Sequence, residues 1–367
     1  MKKASQLPKP AKPFRPYPLF MVAILALLAA MWAGLYRLGW QLPALQPTLP
    51  MAHGPLMVGG FMGVVISLER AVGLGKKWAY GAPILHSIGT LILLFGWETS
   101  VGALFIALGS VWLVAVLIQI ARIHLALHSV TIAAGSVAFA VGNLLWFSGW
   151  LIPHVVVWWI GFLILTIVGE RLELSRVVRL GRSAYGFFIL GIGTLACALF
   201  ATWINFEFAM RLLGFSMVVL SGWLLFFDVA RRRVKAGGQA RFIAITLLSG
   251  YLWMGISGLL MLWFAGMLAG PRYDAMLHTF FLGFSINMIF AHAPIVFPAV
   301  LKLNMRFSPR FYSHTLLLQL SLLLRVVGDL FLWQPGRLWG GMLNVVTIVL
   351  FLLNTLLSLK NRESSAS

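Results

Sequence analysis

Only one of the 367 residues is cysteine, and Cys197 stands inside an apolar run, so an intrachain disulfide and a cysteine metal site are both excluded. Charge is equally scarce: 10% of the chain is charged and 60% hydrophobic, which rules out an ordinary soluble domain. Acidic residues number nine against 28 Lys and Arg. No linker much longer than about a dozen residues parts the apolar runs, which leaves no room for a separate soluble domain. No small-residue cleavage site follows the first apolar run, so that run is expected to be retained as a membrane span.

What is present is a succession of apolar runs long enough to cross about 30 Å of hydrocarbon as helix. Twelve spans are predicted, at 17–38, 53–72, 79–97, 101–121, 126–147, 152–170, 184–204, 209–228, 242–264, 275–300, 312–332 and 339–359. Polar tails are expected at 1–16 and 361–367, flanking one transmembrane domain over 17–360. Of the 28 basic residues, 23 fall in the tails and in alternate loops, such as Arg231-Arg232-Arg233. The positive-inside rule therefore places both termini in the cytoplasm. The surplus charge reads as topology and contact with anionic lipid, not as a nucleic-acid groove.

Two stretches share a pattern. His53 opens the run that ends in Glu69-Arg70, and His154 opens the run that ends in Glu170-Arg171 at the same offset. The sixteen residues from histidine to glutamate span about 24 Å of helix, most of a bilayer's apolar thickness. A second match joins AYGAPILHSIGTL at Ala79 to AYGFFILGIGTL at Ala184. Together they imply a repeat of four helices, with units at about 17–121, 122–230 and 241–360. The third unit is the more divergent, since it lacks the Glu-Arg stop and the AYG start. The expected fold is all-α, a polytopic bundle of about twelve helices in three pseudo-threefold units.

In that arrangement His53, His154 and His278 occupy the same end of spans two, six and ten and would line the interior. Neutral imidazole ligates haem iron and copper, so two facing rings can clamp a haem while the third holds a metal. The alternative is three interfacial histidines bonded to loops. Asp274, four residues before His278, either orients that ring or is a solvated loop residue. His86, His128, His292 and His314 lie nearer the other face, with His124 at its edge, and buried histidines satisfied by neighbouring helices account for them most simply. His278 and His292, fourteen residues apart, are expected on nearly the same side of span ten. Arg325, within an apolar span, must be paired, either with Asp329 one turn on or with a haem propionate. Glu69, Glu170 and Glu173 are expected in interfacial pairs with arginine.

The stretch Ala52-His53-Gly54-Pro55-Leu56-Met57 resembles the second helix of the heme-copper oxidase catalytic subunit, and the twelve-span, three-unit plan is similar as well. That resemblance implies His53 and His278 as axial ligands of one haem and His154 as a copper ligand. It breaks down at span seven, which has no histidine, and at span ten, which has no His-x-His pair, so oxygen reduction is not implied. The chain is more similar to the NnrS family, bacterial membrane proteins associated with haem, copper and nitric oxide. The likeness lies in Gly60-Phe61 after His53 and in Gly283 five residues after His278.

These readings lead to an expected haem-b protein of the bacterial cytoplasmic membrane, with copper as a further metal and Arg325 on a propionate. The associated activity would be that of a haem-dependent oxidoreductase in nitric oxide metabolism or nitrosative-stress response, with quinol as electron donor. Two other classes stay open. A secondary transporter also has twelve spans, although common carriers repeat in halves rather than every hundred residues. A metal-free assembly or scaffold subunit of a respiratory complex would keep the plan without the cofactor.

Overall fold

The computed structural model describes residues 16–43, 45–301 and 303–360. Residues 1–15 and 361–367 of the predicted tails fall outside them. The order of elements is α1 (Tyr17–Leu38), α2 (Leu49–Leu74), α3 (Gly81–Leu94), α4 (Thr99–Ile123), α5 (Leu127–Phe147) and α6 (Ile152–Ser175). There follow α7 (Arg182–Ala201), α8 (Phe206–Phe227), α9 (Gly238–Trp263), α10 (Pro271–Val300), α11 (Phe311–Leu330) and α12 (Gln334–Leu356). A helix satisfies its own backbone, which lipid cannot do, and this is why the apolar runs fold this way.

Among the described residues, eleven helices are long and apolar enough to cross a membrane, and the chain is a multi-pass membrane protein. The predicted span at 79–97 is the exception. It divides into a 3-10 turn, Lys77–Tyr80, and the fourteen-residue α3, about 21 Å long. Gly96, whose φ of +70° is left-handed, closes it early. The Glu-Arg pairs do not stop their helices: α2 continues to Leu74 and α6 to Ser175.

Consecutive helices pack against one another and α1 closes on α12, where Trp40 meets Trp339 edge to face at 5.3 Å. An antiparallel pairing of Asn304–Met305 with Leu359–Lys360 ties the α10–α11 loop to the end of α12. Three helices sit deepest. In their most apolar stretches α2, α6 and α10 are 67%, 78% and 72% buried, against 50% or less for every other span. These are the histidine-bearing helices. In α6 every residue over 155–169 is buried, so it has no lipid face.

Two of the three are not α-helical throughout. In α2 a π-helical segment, Leu56–Met62, follows His53-Gly54-Pro55, and in α10 another, Thr279–Ile286, follows His278 directly. Each widened stretch contains a glycine against which both flanking helices close. A Cβ on Gly60 would lie 3.1 Å from Ala26 of α1 and from Thr90 of α3. One on Gly283 would lie 2.5 Å from Trp253 of α9 and 3.0 Å from Leu322 of α11. Side chains then recover backbone acceptors just beyond. Ser67 donates to the Gly63 carbonyl, and the Asn287 amide donates to that of Gly283 at 2.5 Å. Gln319 donates to Asn287 and accepts from Trp253, so the turn in α10 is braced from α9 and α11.

Candidate metal centre

The two π-helical elements bring their histidines together. The rings of His53 and His278 have centroids 6.3 Å apart and planes inclined by 31°. Nδ1 of His53 lies 2.7 Å from the Ala30 carbonyl oxygen of α1, and Nδ1 of His278 lies 3.0 Å from that of Asp274. A carbonyl only accepts, so both Nδ1 atoms carry the hydrogen and both Nε2 atoms keep a free lone pair. Metal–imidazole bonds of about 2.0–2.1 Å to each Nε2, plus about 1.1 Å from nitrogen to centroid, put two coaxial rings about 6.4 Å apart. The observed centroid spacing, 6.3 Å, is close to that separation. Gly34 of α1 makes room for the His53 ring, since a Cβ there would stand 2.9 Å from Cε1.

Around His278 the charges are paired. Asp274 Oδ1 is 3.2 Å from His278 Nδ1, and both oxygens of Asp274 accept from Arg325, at 2.9 Å from Nε and 3.0 Å from Nη2. Asp274 is therefore an orienting residue of the kind that fixes a ligand's ring and tautomer, not a loop residue. The pairing of Arg325 with Asp329 within α11 is not made; Asp329 accepts instead from Arg337 at 2.7 Å. An arginine N-terminal to its aspartate by four residues has the less favourable orientation along a helix, whereas Asp274 offers a bidentate fork across helices.

His154 is placed elsewhere in its surroundings. Its ring packs on Phe206, 4.5 Å between centroids, and edge-on to Trp150 at 6.0 Å. Among the described residues no three His, Cys, Asp or Glu side chains form a group able to hold a metal ion. Of the three histidines, the structure brings His53 and His278 together.

At the opposite end, Arg70 pairs with Glu170, joining α2 to α6. Arg171 pairs with Asp228 after α8, donating at 2.7 and 2.8 Å, both side chains buried. Asp228 also accepts from the Ala230 backbone at 2.6 Å. Sequence reasoning missed this partner, although an aspartate closing an apolar run and followed by three arginines was its signal. A π-helical segment, Thr279–Ile286, lies between His278 and His292, and His292 lines a space shared with α2 and α6. His86 and His314, both buried, sit among aromatic rings: Phe139 stacks on His86 at 5.5 Å, and Phe290 meets His314 at 4.7 Å. His128 stands 3.8 Å from Glu173.

No curated protein matches the chain. A family described only as a domain of unknown function, DUF8744, matches over residues 16–360, and the chain belongs to that family.

Proposed function

We propose that this protein binds one b-type haem between His53 and His278 in a bacterial cytoplasmic membrane, both termini cytoplasmic, and serves nitric oxide metabolism or tolerance with quinol as electron donor. The observation that carries the reading is the ring pair: 6.3 Å between centroids, both Nδ1 atoms on carbonyl oxygens and both Nε2 atoms free. The nitric oxide assignment is drawn from the likeness to the NnrS family.

Bound haem would supply one-electron chemistry and a position for a small gas. The chain's own residues would do the rest. Ala30 and Asp274 hold the two imidazoles in the tautomer that ligates, and Asp274 raises the basicity of His278. Arg325 reaches Asp274 through Nε and Nη2, which leaves Nη1 for a propionate. His53 and His278 would both hold the haem, an arrangement that would suit sensing or slow turnover of a gas better than rapid catalysis. His154 enters no part of this site, and copper is not needed for it.

A reduced-minus-oxidised visible spectrum of the purified chain is the test. The wild type is expected to show a b-type α-band with about one haem per chain, His53→Ala and His278→Ala to lose it, and His154→Ala to keep it. A wild type without the band, prepared with haem supplied during expression, overturns the reading.

A further inference from the structure

The three central helices also enclose a space at the Glu-Arg end, away from the histidine pair. It is a cavity of about 110 Å³ lined by all three, with Phe61 and Val65 of α2, Leu163 of α6 and Met288 of α10 among its walls. An apolar cavity of about 150 Å³ admits benzene, so this one is close to the size of a single six-membered ring. Glu69 and His292 also line it. Its Glu69 and Val296 wall is shared with a cleft of about 550 Å³, mostly apolar through Ile120, Ile123, Ile295 and Val300 but also lined by Arg70 and His124.

The polar groups set what can bind. His292 Nδ1 lies 2.7 Å from the Met288 carbonyl oxygen and so carries the ring hydrogen, leaving Nε2 as an acceptor. Glu69 is also an acceptor, and among the described residues no hydrogen bond or ion pair engages its carboxylate. Glu170, by contrast, is held by Arg70. Two acceptors on an apolar ring-sized cavity call for a neutral ring with hydroxyl donors. The apolar cleft beside it calls for a hydrocarbon tail.

We propose that this cavity is a quinol site, the ring lying between α2, α6 and α10 with a hydroxyl donating to Glu69 or His292, and the tail leaving through the cleft. Binding follows from the cavity alone; the quinol's use as the electron donor rests on the haem reading above. The reduced ring, which donates, should bind about tenfold more tightly than the oxidised ring, which only accepts.

The test is equilibrium binding of decyl-benzoquinol and of decyl-benzoquinone to the full chain in phosphatidylcholine nanodiscs, kept anaerobic. Ala293 is a buried wall residue, and Ala293→Phe fills the cavity, so binding is expected to fall at least about thirtyfold. Glu69→Gln, which turns one acceptor partly into a donor, is expected to cost about tenfold for the quinol and to leave the quinone unchanged or tighter. If Ala293→Phe does not yield a monodisperse protein, Glu69→Gln decides. Equal affinity for both redox forms, unchanged binding in Glu69→Gln, or displacement by decyl-ammonium at equal concentration overturns the proposal. Repeating the titration on His53→Ala separates the two ideas: retained binding with no α-band leaves the cavity assigned whatever becomes of the haem.

Discussion

Helices α2 and α10 share a construction that α6 lacks, although all three lie deepest in the bundle and each opens on a histidine. The first two widen into a π-helical segment just past that histidine, close a glycine against both neighbouring helices, and present their rings to each other. In α6 the helix is α throughout, its histidine packs on aromatic rings, and its far end is fixed by the buried Arg171–Asp228 pair. Isolated π-helical turns cost regular hydrogen bonding and gather at functional sites. Here they distinguish α2 and α10, whose histidines face each other, from α6, whose histidine packs on Phe206 and Trp150.

The comparison breaks first at the histidines. If α2 and α10 hold the cofactor and α6 does not, His278→Ala removes at least about nine tenths of the bound haem while His154→Ala leaves it intact, since loss of an axial ligand outweighs any change in an aromatic contact. Pyridine haemochrome assays on matched preparations read the difference. Next comes the structural role of α6. Asp228→Asn leaves a buried arginine without its counter-charge and is expected to cost about 3–5 kcal/mol, seen as a large drop in melting temperature in detergent without a change in the haem spectrum of the folded fraction. In α10, Asn287→Ala strands the Gly283 carbonyl and is expected to cost about 1–3 kcal/mol and to shift the α-band, because the turn it braces sits beside His278. The smallest effect belongs to the periphery. Gly186 of α7 has nothing within 4 Å of an added Cβ, so Gly186→Ala should be neutral or stabilise by up to about 1 kcal/mol.

Much of this is legible in the sequence. Apolar runs locate helices because a bilayer leaves the backbone no other partner, and the spacing from His53 to Glu69 and from His154 to Glu170 put each pair at opposite ends of one helix. Three things were hidden because they depend on neighbours. A π-helical segment is selected by what packs against Gly60 and Gly283, and Leu56–Met62 reads locally as ordinary helix. Arg325 chose Asp274 over Asp329 because a bidentate partner across helices beats an adversely oriented one along its own. The third predicted span came out short because Gly96 ends it in a left-handed turn.

The central claim is that one iron is shared by His53 and His278. Low-temperature electron paramagnetic resonance of the oxidised, haem-loaded chain addresses it directly, because two axial imidazoles force ferric haem low-spin. A single low-spin species in the wild type, replaced by high-spin or no signal in either His53→Ala or His278→Ala, is the result expected. A low-spin signal that survives both substitutions, or a wild type that is high-spin from the start, would contradict it.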